Sequence, residues 1–284
     1  MMRDTEKLLL EFAQQNSKIR VVLLNGSRAN PLIAEDDYQD YDILFIVEDI
    51  DSFKNDDSWR SFLGTPILQQ LPDTMTLGNE DNQNRLSFAY LMIFEDGSRI
   101  DLTLFPVEKF HSHFKIDSLT QVLLDKDNFF VDSFESNDCD YHIQKPTEIE
   151  FLEVSNEFWW VSTYVVKGLL RKEITYAKDM METVCRPMFM KMIEWNIGIE
   201  HDFSISFGKS GKNIQKLLPT EDYINVLKTY SDANLKANWE ALLSMATYFS
   251  KLQTKISLKL NFKQNFFETH QGLHYLNKHK PLDL

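Results

Sequence analysis

The sequence predicts an α+β protein in two parts, a mixed-sheet domain over residues 1–145 followed by a helical bundle over residues 146–284. Three observations carry this. Up to Phe105 the apolar residues come in short runs of strand length, bounded by Gly, Asp and Pro turns. From Thr147 onward they recur every three or four residues. The pattern changes at Lys145-Pro146-Thr147, and a chain of 284 residues with 43% hydrophobic content is long enough for two cores.

In order, Asp4 to Gln15 carries Leu8, Leu9 and Phe12 between polar residues and reads as a short amphipathic helix. Ile19 to Leu24 has no helical period and reads as a buried strand, broken by Asn25-Gly26-Ser27. A polar loop containing Pro31 leads to a second strand, Tyr41 to Val47. Asp51 to Phe62 suits a helix capped by Asp51 or Ser52, and Leu68 to Asn84 reads as loop. Leu86 to Phe94 and Arg99 to Phe105 flank Glu95-Asp96-Gly97-Ser98, a hairpin signal. Pro106 ends that arm, and Ser118 to Leu124 suits a short helix before a polar stretch from Asp125 to Asp140.

In the second half, Phe151, Val154, Phe158, Val161, Val165 and Leu169 define the core face of a long helix. Glu150, Glu153, Glu157, Trp160, Tyr164, Lys167 and Arg171 run along its flank. Glu150 and Glu153 fit a solvated face with i,i+4 pairs, whereas two large aromatics between acids and bases suit a groove or interface. Tyr176 to Gly198, Asp222 to Tyr230 and Leu235 to about Leu260 are further helices, and the tail from Asn261 reads as a loosely held terminus.

The residues that carry chemistry lie near Gly26-Ser27 and Asp40-Tyr41-Asp42. Two carboxylates two apart on a strand share one face and repel, and a divalent cation is the common counter-charge. Asp101 is the one acid well inside an apolar strand, on a face with Thr103 and Phe105. Gly26, Ser27 and Arg28 can offer backbone N–H groups, a hydroxyl and a guanidinium to phosphate. The stretch therefore reads as a metal and phosphate site.

The formal net charge of -13 argues against a nucleic-acid partner and would attract a cationic small molecule. No apolar run has the length of a membrane span, and Asp4 and Glu6 occupy positions that a signal peptide keeps apolar, so a cytoplasmic location is expected. Cys139 and Cys185 are isolated, which disfavours a disulfide framework or zinc site. Gly208-Lys209-Ser210 lacks the earlier glycine of a P-loop, since Phe203 stands there. His270 and His274 have helical ligand spacing without a carboxylate partner, and His111 and His113 suit the surface.

Gly-Ser, a short loop, Asp-x-Asp on a strand and a later strand Asp together resemble the nucleotidyltransferase superfamily that includes DNA polymerase beta. The longer strings L-N-G-S-R-A-N-P, Q-D-Y-D-I, F-E-D-G-S-R-I-D-L-T-L, L-L-D-K-D and N-E-F-W-W-V-S-T-Y-V-V-K-G-L-L-R resemble the aminoglycoside 6-adenylyltransferases, which inactivate streptomycin. The likeness reaches R-P-M-F-M-K-M-I-E-W and thins after about Tyr230. It implies transfer of AMP from ATP to the 6-hydroxyl of streptomycin, with two magnesium ions, giving resistance. Ser27 and Arg28, beside Gly26, would contact the triphosphate, and Asp40 and Asp42 would hold the metals. Asp101 would be a third ligand, the base, or both, and Lys167 would reach the phosphates. Reactants would meet in the cleft between the domains.

Streptomycin carries guanidinium groups, so carboxylates and aromatic faces are expected around it. Glu157, Trp160 and Tyr164 are the candidates on the first helix, with Glu182, Glu194 and Trp195 on the second better suited to core or surface roles. Two alternatives remain. One is a nucleotidyltransferase of the same fold acting on another small cation or a protein side chain, and the other is an inactive nucleotide-binding module.

Overall fold

The central strands of the first half alternate their side chains between two apolar layers, and that alternation builds a sheet covered on both faces there. A computed structural model describes residues 4–77, 86–131 and 135–281. The chain divides into compact units at Asp140 and Tyr141. As the sequence predicts, a mixed sheet comes first and helices follow.

Helix α1 (Thr5–Gln15) is capped by Asp4, whose side chain accepts from Lys7 N, and leads into β1 (Ile19–Asn25). Strand β2 (Tyr41–Val47) pairs antiparallel with β1. Helix α2 (Ile50–Asn55) is capped by Asp49 rather than by Asp51 or Ser52, and the rest of the expected helix is broken into a 3-10 turn and α3 (Arg60–Leu63). Within the expected loop, β3 (Leu68–Gln70) pairs with β4 (Phe88–Ile93), while its residues 78–84 lie outside the described residues. Strand β5 (Arg99–Pro106) closes the hairpin with β4 and runs parallel to β2. Helix α4 (Val107–His113) follows, with His111 and His113 exposed.

The short helix expected at Ser118 to Leu124 is instead a strand, β6 (Thr120–Asp125), antiparallel to β1. Pairing with the open edge of β1 outweighs the local preference of a six-residue run. Residues 132–134 of the polar stretch that follows lie outside the described residues. The strand order is β3-β4-β5-β2-β1-β6. On one face Val22, Leu24, Ile43, Phe45, Leu102 and Leu104 pack against Leu9 and Phe12 of α1 and Phe53 of α2. On the other Val21, Leu23, Leu44, Ile46 and Phe105 pack against Phe110 of α4.

The second unit is built on α5 (Glu148–Leu170), which starts at a capping box: Glu150 N donates to Thr147 Oγ1 at 3.2 Å and Thr147 N to Glu150 Oε2 at 2.7 Å. Glu150 is therefore the start signal of this helix. The helix expected from Tyr176 to Gly198 is α6 (Ile174–Met180), a π-helical turn at Met181–Cys185, and α7 (Arg186–Glu200). Pro187 lacks an N–H and its ring would meet the carbonyl four residues back, so the turn widens there. Gly208-Lys209-Ser210 lies in a loop before α8 (Ile214–Leu217), and α9 (Thr220–Leu227) leads to α10 (Leu235–Leu260). Phe249 of α10 stacks on Phe158 of α5 at 3.8 Å.

The tail is not loose. Residues after Asn261 form α11 (Phe266–His279), which packs on α5 through fully buried Leu276. Gly272 lies so close to Trp159 that a Cβ would stand 2.3 Å from the indole Cε3. Thr269 Oγ1 donates to Gln253 Oε1 at 2.9 Å. Residues 282–284 lie outside the described residues.

Candidate active site

Three neighbouring strands set the site. Asn25 of β1 is in register with Asp42 of β2, and Asp42 is in register with Asp101 of β5. All three side chains therefore share the face that carries Leu23, Leu44 and Phe105. Asn25 Oδ1 accepts from the buried hydroxyl of Thr120 at 2.8 Å, which anchors the end of β1.

Gly26 then turns the chain with a φ of +72°, and a Cβ there would lie 2.2 Å from Asp42 Oδ2. Glycine is required twice over, for the left-handed backbone and for the close approach of the carboxylate. The Gly26 N–H is taken by Leu119 O at 3.1 Å, so it is not one of the amides open to phosphate. Ser27 follows in the 3-10 turn Gly26–Ala29, and among the described residues nothing hydrogen-bonds its hydroxyl.

Arg99 supplies a counter-charge that the sequence pattern alone does not single out. Its Nε and Nη2 donate to the two oxygens of Asp101 at 2.8 and 2.7 Å, and Nη1 lies 3.5 Å from Asp40 Oδ2. The hydrogen bond that Arg99 donates to Asp101 raises the Arg99 pKa above its ordinary value, partly offset by desolvation and assisted by the charges of Asp101, Asp40 and Asp42. The available signal is the spacing: on a strand, Arg99 and Asp101 are two apart and share a face.

Arg28 goes elsewhere. Its Nε and Nη2 donate to Gln39 O at 3.2 and 2.9 Å, and its guanidinium stacks 3.9 Å over the ring of Tyr41. Tyr41 faces the side of the sheet opposite Asp42. The guanidinium borders a cavity of about 690 Å³, also lined by Leu10, Leu24, Glu35 and Tyr41, to which Asp40, Asp42 and Asp101 do not contribute. Gln39 is a second residue with no mark in the sequence: its amide donates to Ser27 O at 3.3 Å, tying the loop to the turn.

The donor chemistry suits a magnesium ion, because Asp40, Asp42 and Asp101 offer only hard carboxylate oxygens near the starts of the adjacent strands β2 and β5. The Gly26 cradle fixes one of them in place. Among the described residues no three acidic, histidine or cysteine side chains are gathered round a single point, and Arg99 lies between Asp40 and Asp101. The residues therefore fit the ion in chemical kind.

The remaining candidates belong to the second unit. Glu157, Trp160, Tyr164 and Lys167 lie in sequence along α5, with Trp160 59% exposed and its Nε1 donating to Tyr164 OH at 2.8 Å. Lys167 Nζ lies 4.9 Å from the centre of the Tyr164 ring and 5.6 Å from that of Tyr176. Glu182 is held by Arg186 in a two-pronged ion pair, Trp195 is in the core, and burial raises the Glu194 carboxyl above its ordinary pKa. His270 and His274 are both exposed on α11, and among the described residues neither belongs to a group of three metal-ligating side chains.

A carboxylate pair on two adjacent central strands, facing a Gly-Ser turn and followed by a helical unit, is the arrangement of a nucleotidyltransferase. Residues 2–279 match the family described as streptomycin adenylyltransferase. The chain belongs to that family, and with it to the nucleotidyl-transferring enzymes. The aminoglycoside 6-adenylyltransferase of Campylobacter jejuni is 38% identical over 94% of this chain and 91% of its own. Those of Bacillus subtilis (strain 168) and Staphylococcus aureus are 38% and 36% identical, covering 92% and 94% of this chain and 93% and 94% of theirs. A crystal structure of an aminoglycoside 6-adenyltransferase from Bacillus subtilis aligns at 33% identity with a TM-score of 0.48, over 98% of this chain and 99% of that one. No described helix is long and apolar enough to cross a membrane.

Proposed function

We propose that this enzyme transfers AMP from ATP to a hydroxyl of an aminoglycoside, with the 6-hydroxyl of streptomycin as the acceptor, and so confers resistance to that drug. The observation that carries the reading is the register pairing of Asp42 with Asp101, closed from the side by Gly26. Two aligned anions gain nothing from each other and suit a cation-dependent phosphoryl site.

Magnesium held by Asp40 and Asp42, with Asp101 as a further ligand, would neutralise the triphosphate and polarise the phosphorus that is attacked. The chain's own residues do the rest. Ser27 Oγ donates to a phosphate oxygen, and Lys167 offers its ammonium to the same chain of phosphates. Asp101 or Glu157 accepts the proton of the acceptor hydroxyl as its oxygen bonds to phosphorus and pyrophosphate leaves. Arg28, whose guanidinium donates to Gln39 O and stacks on Tyr41, stabilises the turn and offers its charge to the triphosphate from there.

On the substrate side, Glu157 takes a guanidinium or ammonium group and Trp160 and Tyr164 offer ring faces to it. The net charge of -13 favours approach of such a cation. Incubation with labelled ATP and magnesium, with and without streptomycin, tests the reading by product mass and pyrophosphate release. AMP on streptomycin is the expected product. Label on protein, or pyrophosphate release indifferent to any aminoglycoside, would overturn it.

A further inference from the structure

Lys167 stands out because of what holds it. No carboxylate among the described residues lies within ion-pairing distance of its ammonium, and its neighbours are two tyrosine rings. Tyr164 lies one turn earlier on α5, and its hydroxyl is fixed by the Trp160 indole at 2.8 Å. Tyr176 comes from α6, and it arrives there because residue 168 is glycine. A Cβ on Gly168 would stand 3.0 Å from Tyr176 Cδ1 and 3.0 Å from Ala177 Cβ, so any larger residue would push α6 and its ring away.

A carboxylate would also hold a lysine, but by cancelling its charge. An aromatic face attracts the ammonium through its quadrupole and carries no net charge, so the cation keeps its full field for an anion. Two rings on a long, flexible side chain also limit the rotamers it can adopt before a ligand arrives. A lysine restrained in this way is prepared for an anionic ligand, not for a structural ion pair.

We propose that Tyr176, together with Tyr164, is a positioning residue that holds the Lys167 ammonium for the phosphates of ATP, with Gly168 admitting the ring. The inference rests on the reading in which Lys167 binds the nucleotide. Neither tyrosine need touch ATP, and neither transfers a proton.

A double-mutant cycle tests it, measuring KM and kcat for ATP together with the Kd of a non-hydrolysable ATP analogue by calorimetry. Lys167→Gln, Tyr176→Leu, Tyr176→Phe and the Lys167→Gln/Tyr176→Leu pair are compared. Tyr176→Leu is expected to raise both the KM and Kd for the nucleotide roughly two- to fivefold, the scale of one exposed cation–ring contact. The KM for the aminoglycoside should stay unchanged, Tyr176→Phe should restore binding, and Tyr176→Leu should add no loss once Lys167 is glutamine.

If Lys167→Gln weakens binding but Tyr176→Leu does not, or weakens it equally without Lys167, the positioning role is wrong and the nucleotide role of Lys167 survives. If Lys167→Gln itself leaves nucleotide affinity intact, both fall. Should Tyr176→Leu not fold, Tyr164→Leu runs the same cycle read on the Kd of the nucleotide analogue alone, because Tyr164 is also assigned to the aminoglycoside, and the comparison with and without Lys167→Gln decides.

Discussion

Replacing Gly26 by alanine separates two demands that the turn makes of one residue. The first is conformational: a φ of +72° is left-handed, and a side chain there costs about 1–2 kcal/mol. In a unit of this size that lowers the melting temperature by about 3–8 °C. The second is steric. The added Cβ would lie 2.2 Å from Asp42 Oδ2, more than an ångström short of ordinary van der Waals contact at 3.4 Å, so the carboxylate must move. Displacement of a catalytic group by about 1 Å can cost on the order of 100-fold in rate.

Gly97 provides the control. It has a φ of +84° in the hairpin turn, and a Cβ there would meet nothing within 4 Å. Gly97→Ala should therefore lose similar stability and keep its turnover, while Gly26→Ala should lose about two orders of magnitude in kcat/KM for ATP. Melting curves and steady-state adenylylation at saturating magnesium read both effects. Equal activity in the two variants would refute the claim that Gly26 sets the position of Asp42.

Other expectations follow from the same geometry. Asp40→Asn should abolish turnover while shifting the melting temperature little, because its contact with Arg99 is a partly exposed pair; retained activity would remove Asp40 from the site. Arg99→Gln should lower the melting temperature in chelator and make added magnesium more stabilising than in the parent, since three carboxylates lose their shared cation; an identical magnesium response would deny that role. Burial raises the folded pKa of Glu194, so its stability contribution is full below the ordinary glutamate range and is lost as pH rises through the folded value. Glu194→Gln should thus melt higher than the parent at pH 7 and equally near pH 4, as calorimetry can show. Cys185 is buried with its thiol pushed up to about 12, whereas Cys139 is exposed, so a thiol reagent at pH 8 should modify Cys139 alone until the protein unfolds.

The carboxylates are legible because strands write their faces plainly: an acid facing its own kind across an otherwise apolar run demands a counter-charge. Asp42 and Asp101 can be named for that reason, although their register pairing depends on a parallel contact between β2 and β5 that no local pattern encodes. Arg99 obeys the same alternation but sits at the mouth of a hairpin, where a charged residue looks ordinary. Arg28 does belong to the turn, but its contacts with Gln39 and Tyr41 depend on the loop between β1 and β2 folding back onto the turn, which no local pattern encodes. The strand at Thr120–Asp125 is hidden by its six-residue length, too short for period two to compete with period 3.6. Helix α11 is hidden because its exposed Phe266 and Phe267 break the apolar stripe, and its docking rests on Gly272, a residue that looks like a breaker in isolation.

The seat of Gly272 on Trp159 also fixes an order of events during synthesis. Strands β1 to β6 are complete once Asp125 has been made, so the sheet can settle while the helices are still being translated. The helical unit has no such freedom. Trp159 is made more than a hundred residues before the glycine that covers it, and until Gly272 leaves the ribosome that indole has only part of its apolar surroundings. From the synthesis of α5 until Gly272 emerges, the nascent protein therefore carries Trp159 without the helix that covers it, although every strand of the sheet has already been made.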